Sequence, residues 1–181
     1  GVVVDELQPG DVVVVDMFDK IVAGTFVGGN LSTSIKAKTG NGGAVIWGGV
    51  RDLEQIVKID GFQCYYRGVD PAGIADVMMT SINMPTRIGE AVCLPGDIVL
   101  GTISGVIFIP PHLAEAVAVE GEKTQVKDIF GFERLKDGAY TAPQIDTLVW
   151  TKDIMDDFQS WLKTSPKAEP YQHLDWIEEI S

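Results

Sequence analysis

Basic residues are scarce in this chain: 14 Lys and Arg stand against 26 Asp and Glu, a formal net charge of −12 over 181 residues. A polyanion is held by a basic surface that releases counterions, so this balance argues against sequence-independent nucleic-acid binding and leaves only a local site for a small anion. Cysteine is as sparse. Cys64 and Cys93 lie in apolar, strand-like runs without CxxC spacing, which predicts reduced, buried thiols of a cytoplasmic protein. The two histidines, His112 and His173, lack ligand spacing and read as surface or helix-end residues. No apolar run approaches the roughly 20 residues of a membrane span, and no basic-then-apolar leader is present. A Gly-x-Gly-x-Gly turn that would hold S-adenosylmethionine is also missing, which sets methyl transfer aside. The chain opens at Gly1 without a methionine, and a longer or processed parent chain is expected from that start.

What is present is globular composition, 45% hydrophobic and 22% charged. A chain of this size buries roughly 70% of its unfolded surface and needs no metal to fold, so a bound metal would serve function. The β-branched runs 12–16 and 21–27 read as strands. A helix over 31–39, capped by Asn30 and carrying Leu31, Ile35 and Ala37, follows the Gly28-Gly29 turn. Ala44 to Trp47 is a buried-type strand that Gly48-Gly49 ends, and Arg51 begins a helix with Leu53, Ile56 and Val57 on one face. Two consecutive strand–glycine–helix units favour parallel pairing, with ligands at the carboxyl ends of the strands.

Phe62 to Tyr66 is the next strand, Pro71 to Met79 a short helix, and 86–109 a run of strands. Leu94-Pro95-Gly96-Asp97 echoes Gln8-Pro9-Gly10-Asp11, which we read as repeated turn chemistry. A helix over 111–130 follows, with Leu113, Val117 and Val126 inward and Gly121 as a point of interruption. Lys152 to Lys163 carries Ile154, Phe158, Trp161 and Leu162 at helical spacing, and Pro166 to Pro170 is a linker to a last helix over 174–180. The expected division is a core domain over 1–130 and a docked helical extension over 131–181.

The chemistry concentrates in two places. Backbone N–H groups at the Gly28-Gly29 turn sit at the positive end of a helix, where a carboxylate or phosphate is stabilised; the alternative is that the glycines merely cap the helix. Twenty residues separate Asn30 from Arg51 and Asp52. The planar fork of Arg51 suits a carboxylate, and Asp52 is a hard oxygen ligand for Mg²⁺ or Mn²⁺; the alternative is an Arg–Asp pair at a helix start.

These residues resemble the RraA-like proteins, which include divalent-metal-dependent 4-hydroxy-4-methyl-2-oxoglutarate aldolases. The matching pattern is Gly29-Asn30, twenty residues, Arg51-Asp52, then Pro95-Gly96-Asp97 and the run Gly105 to Pro110, so the similarity covers roughly 9–130. The resemblance implies an α/β fold with a swivelling β/β/α-type core, assembly into trimers or hexamers, and a site at the subunit boundary. Carried over, Asp52 ligates Mg²⁺ or Mn²⁺, Arg51 and the backbone of Gly29, Leu31 and Ser32 hold a 2-oxo acid, and Asp128 of a neighbouring subunit completes the water shell. The implied function is a lyase releasing pyruvate from a 4-hydroxy-2-oxo diacid, or an oxaloacetate decarboxylase; the alternative is a binding protein of the ribonuclease E inhibitor type. Asn30 stands where the aldolase pattern has Asp, and an amide cannot accept a proton as a general base. Trp47 and Gln55 likewise replace acids of that pattern, with Glu54 adjacent.

Overall fold

The computed structural model describes residues 2–176. A single turn, α1 (Val2–Asp5), leads into β1 (Val13–Asp16), β2 (Thr25–Val27), α2 (Gly29–Thr39), β3 (Gly43–Val50), the one-turn α3 (Leu53–Ile56) and β4 (Gln63–Val69). β3 lies at the centre of a parallel sheet: β4 pairs along one edge, while β1 and β2 share the other edge end to end. All but one of the residues of β3 are buried, as a central parallel strand covered on both faces requires. Its Ala44, Ile46 and Val50 pack with Val13, Val27, Ile35, Ile56 and Phe62 in the first core.

Several local expectations are corrected. The strand expected over 21–27 begins only at Thr25, because residues 17–24 loop out of the sheet edge between β1 and β2. Gly48 and Gly49 do not end a strand. They continue β3, and they are glycines because a Cβ on Gly48 would meet Met17 Cβ and one on Gly49 would lie 2.7 Å from the Ile21 carbonyl oxygen. The helix after Arg51 is one turn, and Val57 is exposed rather than on its buried face. On α2 the buried positions are Gly29, Ser32, Ile35 and Thr39, while Ala37 is exposed.

Beyond β4, the segment expected to be a helix from Pro71 to Met79 has no regular structure and is exposed throughout. Two antiparallel hairpins follow: β5 (Thr86–Ile88) with β6 (Ala91–Cys93), and β7 (Ile98–Thr102) with β8 (Gly105–Ile109). The two Pro-Gly-Asp turns have the same chemistry. Gly10 and Gly96 take positive φ, 89° and 91°, and Asp11 and Asp97 accept the N–H of Gln8 and Leu94, each at 2.8 Å.

The chain divides into two compact units, one up to Pro111 and the other from His112. The expected boundary at residue 130 therefore falls inside α4 (Ala114–Lys136), which runs through Gly121 unbroken. Its buried face is Lys123, Val126 and Phe130, and Leu113 and Val117 are exposed. After α5 (Ala142–Ile145), helix α6 (Lys152–Thr164) buries Ile154, Phe158 and Trp161 as expected. The linker expected over Pro166 to Pro170 lies in a 3₁₀ segment, Pro166–Tyr171, with Ala168 fully buried. Of the last expected helix, residues 177–180 lie outside the described residues. No helix among the described residues is long and apolar enough to cross a membrane.

Candidate functional site

The carboxyl ends of β2 and β3 lie side by side, because the two strands are parallel neighbours: Thr25 is opposite Gly49 and Val27 opposite Val50. β2 runs directly into Gly28 and α2, and β3 runs directly into Arg51 and Asp52. The sheet thus brings together the two sequence stretches singled out above. Ligands of parallel α/β sheets collect at this end.

The approach is close. A Cβ on Gly28 would lie 2.9 Å from Arg51 Cγ and 3.0 Å from Arg51 Nε, and would also meet Asp52 Oδ2. One on Gly29 would lie 2.9 Å from Gln55 Cδ, so Gln55 covers the start of α2. Gly28 is the N-cap, with no side-chain cap bond, which replaces Asn30 as the expected cap. Its φ of −132° is open to any residue; glycine is required by contact, not by torsion.

Asp52 takes the left-handed conformation, φ 54° and ψ 37°, at the N-cap of α3, and its carbonyl accepts the N–H of Gln55 and Ile56 at 2.8 and 3.1 Å. Through Oδ2 it accepts the N–H of Gly29 at 3.3 Å and faces Arg51 Nε at 3.6 Å. Oδ1 takes no hydrogen bond among the described residues. Arg51 donates through Nη1 to the Thr25 carbonyl at 3.2 Å, which leaves Nη2 and one Nη1 hydrogen for an anion. Both side chains are partly open, 33% for Arg51 and 40% for Asp52.

In the first turn of α2, Ser32 N–H is committed to the Gly28 carbonyl at 3.0 Å. The backbone donors left open among the described residues are those of Asn30 and Leu31. Ser32 contributes differently from the expectation: its Oγ is buried and has no hydrogen-bond partner among the described residues. The Asn30 side chain is exposed beside these amides. Asp128 is an exposed residue of α4, in the second unit.

No group of three or more His, Cys, Asp or Glu side chains gathers among the described residues. A cation here would have Asp52 as its protein carboxylate, with Oδ1 available. That donor set fits Mg²⁺ or Mn²⁺, which keep several waters and bind through one or two carboxylates plus substrate.

Arg67 and Arg87, cations at or near strand ends, make structural contacts. Arg67 Nε pairs with Asp19 at 2.9 Å and its guanidinium lies 4.4 Å from the centre of the Trp47 ring, while Arg87 pairs with Asp16 at 3.3 Å. His173 Nε2 lies 2.8 Å from Glu122. Burial pushes the Cys64 thiol up to about 12. Burial first, and then the Asp97 carboxylate, also raises Cys93. Surface concavities lined by β7 and β8, and by Val12, Asn41 and Tyr65, do not include Arg51 or Asp52. Sequence reasoning missed Thr25 and Asp70. Thr25 opens β2 and Asp70 directly follows β4, and a polar side chain beside an apolar strand run was the only signal they carried.

Comparison with known proteins bears on this geometry. The RraA-like family model, described as Aldolase/RraA, matches residues 2–108. A curated protein of Halalkalibacterium halodurans, named "Putative 4-hydroxy-4-methyl-2-oxoglutarate aldolase", is 32% identical over 126 residues. That match takes in 68% of this chain and 57% of the relative, so the chain spans a little over half of that protein's length. Among solved structures, Streptomyces coelicolor RraAS2, described as an unusual member of the RNase ES inhibitor RraA protein family, superimposes with a TM-score of 0.62 at 24% identity, over 71% of this chain and 65% of that one. The RNA-processing inhibitor RraA of Thermus thermophilis does so with a TM-score of 0.54 at 25% identity, over 60% and 64%.

Proposed function

The chain belongs to the RraA-like family, and from that premise we propose that it is a divalent-cation-dependent lyase acting on a 2-oxo acid. The reaction is retro-aldol cleavage of a 4-hydroxy-2-oxo diacid to pyruvate, or decarboxylation of oxaloacetate. One observation carries the reading: Arg51 and Asp52, both partly open to solvent, stand directly against the Gly28-Gly29 start of α2, where the N–H groups of Asn30 and Leu31 take no partner among the described residues.

In this reading Arg51 grips the substrate carboxylate through two parallel N–H bonds, which fixes the plane of the 2-oxo group. The open amides of α2 add donors at the positive end of that helix, where charge on oxygen is favoured. Asp52 would hold the cation through Oδ1, its Oδ2 being engaged by Gly29 N–H and facing Arg51. When bound, Mg²⁺ or Mn²⁺ supplies positive charge to the carboxylate and keto oxygens of the substrate. Asn30 can donate to or accept from a water but cannot take its proton, so proton abstraction is assigned to another group. Asp128 of a second copy, in a trimer or hexamer, is part of the same proposal.

A coupled assay for pyruvate, run with and without EDTA on 4-hydroxy-2-oxo diacids and oxaloacetate, tests the proposal; release that is cation-dependent and lost in Asp52→Ala is expected. Neither substrate yielding pyruvate would sink it. A second reading, a non-catalytic protein of the RNA-processing-inhibitor kind, is favoured by the amides Asn30 and Gln55 where the aldolase pattern has acids. It expects no Asp52-dependent Mg²⁺ binding in a calorimetric titration.

A further inference from the structure

Arg51 is held from outside its own strand. Its Nη1 donates to the Thr25 carbonyl at 3.2 Å, yet β2 is only three residues long and its pairing with β3 is irregular between Thr25 and Val27. The N–H groups of Gly49 and Arg51 go to Gly24 and Val27, at 3.1 and 3.0 Å, spanning Thr25. A short, irregular strand beside a looped-out edge needs a second restraint to hold one carbonyl in place.

That restraint comes from the loop after β4. The Thr25 hydroxyl, on a fully buried residue, donates to the Ala72 carbonyl at 2.7 Å. Asp70 accepts the N–H of Ala23 through Oδ2 at 2.6 Å and that of Ala72 through Oδ1 at 3.3 Å. Asp70 N–H is itself tied to the Val50 carbonyl at 3.1 Å, beside Arg51. The 70–72 loop therefore clips the start of β2 at two points, to the same strand end that carries Arg51.

We propose that Thr25 and Asp70 are positioning residues: through the 70–72 clip they fix the carbonyl that orients the Arg51 guanidinium toward the substrate carboxylate. The proposal rests on the reading of Arg51 given above. Unclipped, Thr25 retains its backbone position only on average, and the guanidinium rotates among alternatives; part of the binding free energy is then spent on ordering it.

Two readouts test this without an enzymatic assay: the Arg51 Nη1 and Nη2 resonances in ¹⁵N-labelled protein, expected to be separate while the guanidinium is held, and binding of oxalate, a planar dicarboxylate, in the presence of Mg²⁺. Thr25→Val is expected to merge the split guanidinium signals of Arg51 by faster rotation and to weaken oxalate about five- to tenfold, the value of one neutral hydrogen bond. Thr25→Ser keeps the hydroxyl and is expected to restore both. Asp70→Ala provides an independent loss of the clip if Thr25→Val fails to fold, with the same signature expected. Arg51→Ala separates the two levels. If it leaves oxalate binding unchanged, the reading of the site fails; if it abolishes binding while folded Thr25→Val and Asp70→Ala bind oxalate as the unaltered protein does, the positioning role is overturned.

Discussion

Gly28→Ala is the substitution that most directly tests whether the Gly28–Arg51–Asp52 geometry makes the site. Gly28 has φ −132° and ψ −168°, values that alanine adopts without strain, so the backbone contributes nothing to the effect. The added methyl would lie 2.9 Å from Arg51 Cγ and 3.0 Å from Arg51 Nε and would strike Asp52 Oδ2. Cβ contacts this short are not tolerated, and because Arg51 and Asp52 are partly open to solvent, they move rather than the buried sheet. Overpacking of this kind costs about 1–3 kcal/mol, with the lower end expected because the displaced groups are not in the core. The binding effect is larger in proportion. Turning Asp52 away breaks its bond to Gly29 N–H, and moving Arg51 removes its charge-assisted contact with the anion, worth about 1.5–3 kcal/mol, or roughly 10- to 150-fold in affinity. Titration calorimetry with oxalate and Mg²⁺, alongside urea unfolding, reads both quantities. Gly73→Ala is the matched control, since nothing lies within 4 Å of its Cβ, and it is expected to change neither. Oxalate binding by Gly28→Ala within twofold of the unaltered protein would refute the reasoning.

Gly121 lies exposed inside α4 with open space around its Cβ, so Gly121→Ala is expected to raise stability by about 0.5–1 kcal/mol in urea unfolding. Phe158→Ala removes a fully buried ring whose neighbours Phe130, Trp150 and Trp176 lie 5.1–5.3 Å away, and a loss of about 3–5 kcal/mol is expected, read as a lowered thermal midpoint. Two 2.7 Å bonds from Arg134 hold the Asp157 carboxyl below its usual range. A carboxylate with a depressed folded-state value stabilises above its unfolded value and stops doing so as pH falls through the folded one. The second unit is therefore expected to lose stability below about pH 4, and Asp157→Asn to flatten that acid limb in pH-dependent unfolding. Cys64, with its thiol pushed up to about 12, is expected to resist iodoacetamide at pH 8 until the chain is unfolded, as mass spectrometry of the labelled peptides would show.

The pairing of Gly29-Asn30 with Arg51-Asp52 was legible because spacing in a β–α–β unit translates into adjacency: one helix and one strand return the chain to the neighbouring carboxyl end. What spacing does not carry is why the glycines are there. Gly48-Gly49 and Gly28-Gly29 look alike as dipeptides, but the first pair lets residues 17–24 cross the edge of a continuing strand, and the second lets a helix start press against a side-chain pair. Only tertiary contact separates these two uses. Thr25 and Asp70 were illegible for the same reason, since their partners, Ala72 and Ala23, lie 47 residues away and offer only backbone atoms, which leave no trace in a side-chain motif. The segment with Ile74, Met78 and Met79 misled in the other direction: Pro71 suggested the first turn of a helix, but these apolar side chains are exposed and bury no helix face among the described residues. The site is consequently a product of strand order more than of motif. Arg51 and Asp52 acquire their meaning because β2 and β3 are parallel neighbours, and a variant that preserved every motif residue while shifting β2 by one position would dismantle the site.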